Sequence, residues 1–238
     1  MRMTTWGIAG TGMIARAFAA SIKDSNNSSL KYVASRSKEN SSKFAKKYEC
    51  EAIEGYENLL TLDDYDALYI ATPHPQHFDL SLKALQKGKA VLCEKPMTMN
   101  STEAMVLIEA SRKNHSTFME AFMYRTHPQT QKIREIIKEY FLEEPLEVEA
   151  SFGFEANVPQ EHRLVNPELG GGSILDIGCY PMSMSRMIVG VQEGKSFSNP
   201  VNIKSNGTLS DNNVDLYAEA SLDFANGSKA FISSSINK

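Results

Sequence analysis

Short apolar runs alternate with amphipathic segments along the first half of the chain. Five runs have the length and composition of strands, and they cover residues 4–9, 30–34, 67–71, 89–93 and 117–122. The segments between them carry apolar side chains at helical spacing and predict helices. Strands that alternate with helices are typical of a parallel sheet with helices on both faces. We therefore predict an α/β Rossmann domain, a doubly wound parallel sheet, over residues 1–122.

The pattern changes after about residue 123. Helical spacing recurs at 128–140 and 173–189, whereas the predicted strands cover residues 146–154, 201–208, 215–224 and 229–234. The Asn226-Gly227 dipeptide is a strong turn signal between the last two of these strands. This half predicts an α+β domain over residues 123–238, with an open, mainly antiparallel sheet that carries helices on one face.

Composition narrows the function classes. The chain has 238 residues, a net charge of −4 and no long basic run, which argues against nucleic-acid binding and against a polybasic membrane contact. No apolar run reaches about 18 residues, and the amino terminus lacks the apolar core of a signal peptide. Cys50, Cys93 and Cys179 form no C-x-x-C pair and predict reduced, buried thiols. Reduced thiols are typical of a cytoplasmic protein, which is the location that we expect. We expect no metal site, because the histidines are not at zinc-ligand spacing.

The turn after the first predicted strand has the chemistry of a dinucleotide site. Glycines let the backbone turn sharply and approach a ligand closely, and the amides at the start of the following helix attract an anion such as a pyrophosphate. The sequence GTGMIA fits the pattern G-x-G-x-x-G/A, with Ala15 as the third small residue. The predicted cofactor contacts of this turn are Gly10, Thr11, Gly12, Met13 and Ile14.

The second strand ends in Ser35-Arg36-Ser37, where NAD-binding units usually carry an acidic residue. Arg36 offers a planar, permanently charged donor to a 2′-phosphate, and the two serines add hydroxyls. We therefore predict NADP as the cofactor and Ser35, Arg36 and Ser37 as its phosphate contacts. The alternative is that Arg36 is a solvated surface arginine.

Further polar residues follow the later strands, at the sheet edge where ligands bind in doubly wound folds. Glu94-Lys95-Pro96 follows one of these strands, and Thr72 begins the segment TPHPQH after another. Lys95 is placed to direct its ammonium group into the cleft, although a surface lysine in a β–α loop is the alternative. The predicted cofactor contacts here are Thr72, Pro73, His74, His77, Glu94 and Lys95.

The second half contributes Asp176 and Tyr180, which lie four residues apart and therefore on one face of a predicted helix. A phenol titrates near pH 10, and lowering its pKa to about 7 requires about 4 kcal/mol. An ammonium group about 4 Å away supplies roughly that energy at an effective dielectric constant of about 20. Lys95 would thus activate Tyr180 as an acid/base if the two halves bring them together. The alternative is that Tyr180 packs in the core and that Asp176 is a structural hydrogen-bonding residue.

The motifs GIAGTGMIA, TPHPQH, CEKP, EAFMYRTHP and GGGSILDIGCYP occur in the order in which the Gfo/Idh/MocA oxidoreductases carry them. Within that family the chain most resembles the branch of dimeric dihydrodiol dehydrogenase and NADP-dependent D-xylose dehydrogenase. The resemblance implies that Lys95 is the active-site lysine, that its bond to Pro96 is often cis, and that Tyr180 is the acid/base. It further implies that Asp176 is the aspartate of the D-x-G-x-x motif. It places His77 on the nicotinamide side and Arg163 in a substrate-facing loop, so the predicted substrate contacts are Arg163, Asp176 and Tyr180.

These observations predict an NADP-dependent dehydrogenase acting on a sugar or cyclic diol hydroxyl, with C1 of a xylose-like aldose favoured. One alternative is an NADP-binding regulatory or inactive protein, and another is an NAD-dependent inositol-type dehydrogenase. The resemblance also implies a homodimer formed through the open sheet. Relatives usually continue through further strands, so we expect the chain's end at Lys238 to leave that sheet with a bare edge and to bear on activity.

Overall fold

The computed structural model describes residues 2–237, which divide into two units between Ala121 and Phe122. This division lies one residue from the boundary expected from the sequence. Unit 1 is the amino-terminal part and unit 2 the carboxyl-terminal part of the chain, and each is described separately. No helix within residues 2–237 combines the length and apolarity that are needed to cross a bilayer.

Unit 1 is built around a six-stranded sheet in which every pairing is parallel. Its strand order is β3-β2-β1-β4-β5-β6, so the order reverses between β1 and β4. Ligands of doubly wound sheets bind outside the carboxyl ends of the strands at such a reversal. The strands are β1 (Thr4–Ala9), β2 (Ser28–Ser35), β3 (Glu51–Glu54), β4 (Ala67–Ile70), β5 (Ala90–Glu94) and β6 (Phe118–Ala121).

Helices cover both faces of this sheet, which confirms the predicted doubly wound fold. Neighbouring residues of one strand enter different core clusters: Ile8 packs with Val33 and Tyr69, whereas Ala9 packs with Leu68 and Ile70. Parallel strands that are buried on both faces are therefore continuously apolar, as the sequence pattern indicated. The helices are α1 (Met13–Lys23), α2 (Lys38–Tyr48), α3 (Tyr56–Leu60), α4 (His77–Gln86) and α5 (Ser101–Lys113).

Strand β3 was missed by the sequence pattern. It lies at the edge of the sheet and pairs only with β2. Its sequence is EAIE, and only Ile53 is partly buried. A short edge strand with charged ends carries too little apolar periodicity to be distinguished from a loop.

Unit 2 contains a four-stranded sheet of order β7-β10-β9-β8. Two of its pairings, β8 with β9 and β9 with β10, are antiparallel, whereas β10 runs parallel to β7. The sheet is therefore mainly antiparallel, as expected, with one parallel pair that the sequence did not indicate. The elements are α6 (Pro128–Tyr140), β7 (Glu147–Gly153), α7 (Cys179–Gln192), β8 (Pro200–Leu209), β9 (Asp215–Phe224) and β10 (Lys229–Ser235).

One face of this sheet packs on α7, because Val189 forms a core with Val148, Leu222 and Ala230. The hairpin between β9 and β10 turns at Asn226-Gly227, as predicted, and Gly227 has a φ of +87° that favours glycine.

The three cysteines are free thiols, as expected from their spacing. Only Cys93 is buried, whereas Cys50 and Cys179 are partly exposed, so the expectation that all three are buried was wrong for two of them. Burial raises the pKa of Cys50 to about 11 and raises that of Cys93 further. Thiols with such raised pKa values stay protonated at neutral pH and are poor nucleophiles.

Candidate active site

The glycine turn between β1 and α1 has the geometry of an anion cradle. Gly10 has a φ of +115°, and a Cβ added there would lie 2.4 Å from the carbonyl oxygen of Ala71. Only glycine therefore allows the turn to lie against the end of β4. A Cβ added at Gly12 would have no atom within 4 Å, so open space lies at the start of α1. No side chain caps this helix. Its first amides are thus available to a pyrophosphate, and the residues present fit a dinucleotide.

Polar side chains converge where β2 ends. The Ser35 hydroxyl accepts a hydrogen bond from the Ser37 amide at 3.3 Å, and the Ser37 hydroxyl accepts one from the Asn40 amide at 3.3 Å. Both hydroxyl protons remain able to donate to a phosphate. Arg36 is exposed, and burial raises the pKa of the nearby Tyr56 against the opposing positive charge of Arg36. This geometry is compatible with a 2′-phosphate contact, which stays a prediction.

The segment after β4 contains two buried polar atoms without a hydrogen-bond partner among residues 2–237, the Thr72 hydroxyl and the Gln76 amide oxygen. Thr72 is 9% exposed, and its hydroxyl has no hydrogen-bond partner among residues 2–237. A buried polar atom without a partner is costly unless a ligand or water satisfies it. His77 differs, because it is fully buried and its ring nitrogens lie 2.8 Å from the carbonyl oxygens of Pro96 and Thr72. Its predicted contact with the nicotinamide side stays a prediction, but both of its polar atoms have partners within unit 1.

Lys95 lies directly after β5, at the same edge of the sheet. The preceding Glu94 accepts a hydrogen bond from the Tyr69 hydroxyl at 2.5 Å, and the Lys95–Pro96 peptide bond is cis, as the family resemblance implied. Lys95 is partly buried. The predicted cofactor contacts of unit 1 therefore all follow parallel strands at their carboxyl ends, which meet at one edge of the sheet.

In unit 2 the predicted site residues lie at the start of α7. The structure forms a π-helix over Ile174–Gly178 before α7 begins, where the sequence predicted a continuous α-helix. Asp176 lies in this π-helix, and its carboxylate accepts a hydrogen bond from Arg163 at 3.0 Å, so two predicted substrate contacts meet. Asp176 is 7% exposed, whereas the Arg163 side chain is 46% exposed. π-helical turns are frequent at functional sites.

Tyr180 lies among aromatic rings. Its ring centroid is 5.4 Å from that of Phe122, 5.5 Å from that of Phe152 and 6.1 Å from that of Tyr124. Phe152 is 43% exposed. These edge and tilted contacts fix the plane of the Tyr180 ring, which suits a residue that presents its hydroxyl to a substrate.

The start of the π-helix depends on a residue that the sequence analysis did not single out. Asp215 of β9 accepts hydrogen bonds from the Ile174 amide at 2.7 Å and from the Ser173 hydroxyl at 2.8 Å. Gly172 has a φ of +116°, and a Cβ there would lie 2.1 Å from an Asp215 carboxylate oxygen. The last glycine of the GGG segment is therefore required so that Asp215 can cap this helix.

Three further residues near the predicted site were also missed, namely Tyr56, Tyr69 and Glu120. Each acts on a site segment from a neighbouring element: Tyr69 donates to Glu94, Glu120 accepts from the Met97 amide, and Tyr56 lies close enough to Arg36 for its pKa to be affected. No local pattern marks such residues, because their function depends on strand order. Within the part of the chain that the structure describes, no cluster of three or more His, Cys, Asp or Glu side chains could hold a metal ion.

Two family models match the chain. The model described as an oxidoreductase family with an NAD-binding Rossmann fold matches residues 4–122, and the model of the Gfo/Idh/MocA C-terminal domain matches residues 130–238. Together they cover both units.

Individual proteins of known activity are also similar. The trans-1,2-dihydrobenzene-1,2-diol dehydrogenase of Xenopus laevis is 35% identical over 98% of this chain and 69% of that enzyme. The NADP-dependent D-xylose 1-dehydrogenase of Hypocrea jecorina is 31% identical over 75% of this chain and 51% of that enzyme. A solved structure of a 3-ketoreductase from Actinomadura kijaniata with NADP and TDP-benzene is 27% identical, with a TM-score of 0.86 over 100% of this chain and 71% of that one.

The chain thus spans between 51% and 71% of the length of these three relatives. Both family models match in the expected order, and the similarity to the Xenopus enzyme extends along 98% of the chain. The protein therefore belongs to the Gfo/Idh/MocA family of oxidoreductases with an NAD-binding Rossmann fold.

Proposed function

We propose that the protein is an NADP-dependent dehydrogenase that acts on a sugar or cyclic diol hydroxyl, with C1 of a xylose-like aldose as the favoured position. The observation that carries the proposal is in unit 1. The open glycine cradle after β1 and Lys95 after β5 lie at the same edge of a parallel sheet, on strands separated only by β4. A dinucleotide-binding turn and a cationic side chain at one sheet edge suit oxidation of an alcohol beside a nicotinamide.

The proposed chemistry divides between the cofactor and the chain. When bound, the nicotinamide accepts a hydride from the carbon that carries the hydroxyl. Tyr180 takes the proton from that hydroxyl at its phenolic oxygen and returns it in the reverse direction. The Lys95 ammonium stabilises the negative charge that develops on the oxygen of the substrate. Asp176, held by Arg163 at 3.0 Å, accepts a hydrogen bond from a second substrate hydroxyl.

The preference for NADP rests on the end of β2. Arg36 is exposed there, between two serines whose hydroxyl protons are able to donate. A guanidinium group forms paired hydrogen bonds with a phosphate and is always charged. The xylose dehydrogenase of Hypocrea is NADP-dependent, and the 3-ketoreductase was solved with NADP, which supports the same choice here.

The substrate class is proposed from the named relatives together with the charge of the site. The relatives act, by their names, on a diol, on xylose or at a 3-keto position. The Asp176–Arg163 pair offers both a hydrogen-bond acceptor and a donor, which is the combination that polyhydroxylated substrates require.

Turnover of NADP by the purified chain tests the proposal. The protein would be incubated with NADP and a panel of aldoses, cyclic diols and inositols, and NADPH formation would be followed by absorbance. We expect turnover on at least one aldose or diol. NADPH binding without turnover across the panel would refute the proposed activity of this chain and favour the binding-protein alternative.

The roles of the two proton-handling residues require matched variants. Lys95→Met and Tyr180→Phe should bind NADPH as the wild type does and lose about 100-fold or more in kcat, since acid/base groups contribute about that much. Lys87→Met is the control for the loss of a lysine, because Lys87 is exposed and precedes β5 at the opposite end of that strand. Wild-type rates in Lys95→Met or Tyr180→Phe would overturn the corresponding assignment.

We further propose that the protein forms a homodimer through the face of the unit 2 sheet that does not pack on α7. Phe231 is 50% exposed on this face, and strand pairing aligns it with Glu149 on one side and with Ser221 and Lys204 on the other. The two charged residues thus stand at opposite ends of one row. In a two-fold arrangement whose axis follows the strands, Glu149 would meet Lys204 of the partner subunit.

Charge exchange tests this interface. Lys204→Glu should weaken the dimer, because it places two carboxylates opposite each other, whereas the double variant Glu149→Lys/Lys204→Glu should restore it. Sedimentation velocity at several protein concentrations measures both effects. A monomeric wild type, or a single variant that dimerises as the wild type does, would contradict the proposed face.

A further inference from the structure

The segment Glu94–Met97, which carries Lys95, is held at three points by side chains from other elements of unit 1. Tyr69 donates to the Glu94 carboxylate, His77 contacts the Pro96 carbonyl, and Glu120 accepts from the Met97 amide at 2.8 Å. The three side chains come from β4, α4 and β6, the elements that surround this segment. These contacts lie on either side of Lys95 and within two residues of it.

His77 is the most constrained of the three. It is fully buried, and both of its ring nitrogens lie 2.8 Å from carbonyl oxygens, those of Pro96 and Thr72. Burial lowers the pKa of His77 below its ordinary value of 6.5, although the two carbonyls and Glu94 oppose this shift. At pH 7 the ring is therefore neutral and has one N–H to donate. The ring joins the segment after β4 to the segment that carries Lys95.

Tyr69 holds the Lys95 segment on its amino-terminal side, through Glu94. It is 2% exposed, its ring stacks on Phe18 with centroids 4.0 Å apart, and its hydroxyl lies 2.5 Å from a Glu94 carboxylate oxygen. Burial, reinforced by the hydrogen bond to Glu94, raises the pKa of Tyr69, so the phenol stays protonated and donates. A ring that is packed this tightly has little rotational freedom, so it fixes the position of the Glu94 carboxylate.

We propose that His77, through its Nδ1–H and the Pro96 carbonyl, and Tyr69, through the Glu94 carboxylate, are positioning residues that set the location of the Lys95 ammonium group. This inference rests on the proposed function for its catalytic consequence. A reacting group that moves by about 1 Å costs about 100-fold in rate. Loss of either contact should therefore lower kcat while leaving the glycine cradle unchanged.

Two amide substitutions separate the two contacts of His77. The amide nitrogen of Asn occupies nearly the position of Nδ1, whereas that of Gln occupies nearly the position of Nε2. His77→Asn therefore keeps the donor to Pro96 and gives up the contact with Thr72, whereas His77→Gln does the reverse. Both variants replace a fully buried ring with an amide, so both should lose thermal stability.

The expected result is a split between the two variants. His77→Gln should lose about tenfold to 100-fold more in kcat than His77→Asn does, because only His77→Asn keeps a donor to the Pro96 carbonyl. Equal kcat values in the two variants, or a higher kcat in His77→Gln, would overturn the proposed role of the Pro96 contact. His77 would then have a purely structural role.

Tyr69→Phe tests the second contact, and Tyr65→Phe is its control. Tyr65 is 3% exposed, and its hydroxyl has no hydrogen-bond partner among residues 2–237, so its removal deletes a buried hydroxyl without touching the Lys95 segment. Tyr69→Phe should lower kcat by about tenfold or more, and Tyr65→Phe should leave it unchanged. Equal effects of the two variants would refute the positioning role of Tyr69.

Amide hydrogen exchange separates this inference from the proposed function. The amides of Glu94, Lys95 and Met97 should exchange about tenfold faster in Tyr69→Phe and in His77→Gln than in the wild type, and at the wild-type rate in Tyr65→Phe. This readout requires no substrate. Unchanged exchange in both site variants would overturn the inference even if the enzyme turns over, whereas faster exchange in a chain without turnover would refute only the proposed activity.

Discussion

The two glycines of the turn between β1 and α1 should fail in different ways when each is replaced by alanine. Gly10 has a φ of +115°, and its added Cβ would lie 2.4 Å from the Ala71 carbonyl oxygen. Gly12 has a φ of −69°, which alanine adopts readily, and its added Cβ would meet no atom within 4 Å. Gly10→Ala should therefore damage the fold, whereas Gly12→Ala should damage cofactor binding alone.

The magnitudes follow from these two environments. An alanine in the backbone conformation of Gly10 costs about 1–3 kcal/mol, and the backbone shift that relieves the clash with Ala71 costs a similar amount. For a unit of this size, a total of about 2–6 kcal/mol lowers Tm by about 8–24 °C. Gly12 is the residue before α1, where alanine is less favourable than glycine by about 0.5–1 kcal/mol, so Tm should fall by only about 2–4 °C.

Thermal unfolding and NADPH fluorescence measure the two effects on the same samples. The methyl group of Gly12→Ala stands where the pyrophosphate approaches the amides of α1, so the Kd for NADPH should rise by at least about tenfold. If Gly12→Ala binds NADPH as the wild type does, the cradle is not the pyrophosphate site. A Gly10→Ala variant with the wild-type Tm would show that the steric argument is wrong.

Three further perturbations have defined outcomes. Arg36→Asp should weaken NADP binding by about tenfold to 100-fold and leave NAD binding nearly unchanged, because a charged hydrogen bond to the 2′-phosphate is lost. Titration of the variant with both cofactors measures this effect. An unchanged preference for NADP over NAD would exclude Arg36 as a contact of the 2′-phosphate. The folded-state pKa of His77 is lowered from 6.5, so the unfolded chain binds more protons than the folded chain as the pH falls. The stability that depends on the neutral ring is therefore present above pH 6.5 and is lost as the pH falls through the folded-state pKa. Tm measured against pH should show this loss in the wild type and not in His77→Gln. Gly172→Ala should lower the free energy of unfolding by about 2–4 kcal/mol, since its Cβ would overlap Asp215; denaturant titration would contradict this if the midpoint does not move.

Much of the fold could be predicted from the sequence because it depends on local patterns. Buried parallel strands are continuous apolar runs, and β1, β2, β4, β5 and β6 all overlap the predicted positions. Helix α6 begins and ends where the helical spacing indicated. Strand β3 was not predicted, because its only partly buried apolar residue is one isoleucine. The parallel pairing of β7 with β10 was not predicted either, because neither strand's own sequence indicates its partner.

Part of the candidate site could also be predicted, because some of its residues belong to local sequence patterns. Gly10, Gly12 and Lys95 were recognised from residues adjacent to them in the chain, because a turn and a strand end are local features. The geometry at Asp176 differed from expectation, since Asp215 and Gly172 determine how the π-helix begins. That contact joins residues more than 40 positions apart, so the spacing around Asp176 could not indicate it.

The sequence by itself determined the family, the alternation of strands and helices, and the residues that carry the proposed chemistry, since each follows from short-range spacing. Only the tertiary structure decided which side chains support them. Tyr69, His77 and Glu120 reach the Lys95 segment because the strand order places β4, β5 and β6 side by side and packs α4 nearby. The physical reason is that a hydrogen bond depends on distance in space, whereas a sequence pattern records only distance along the chain.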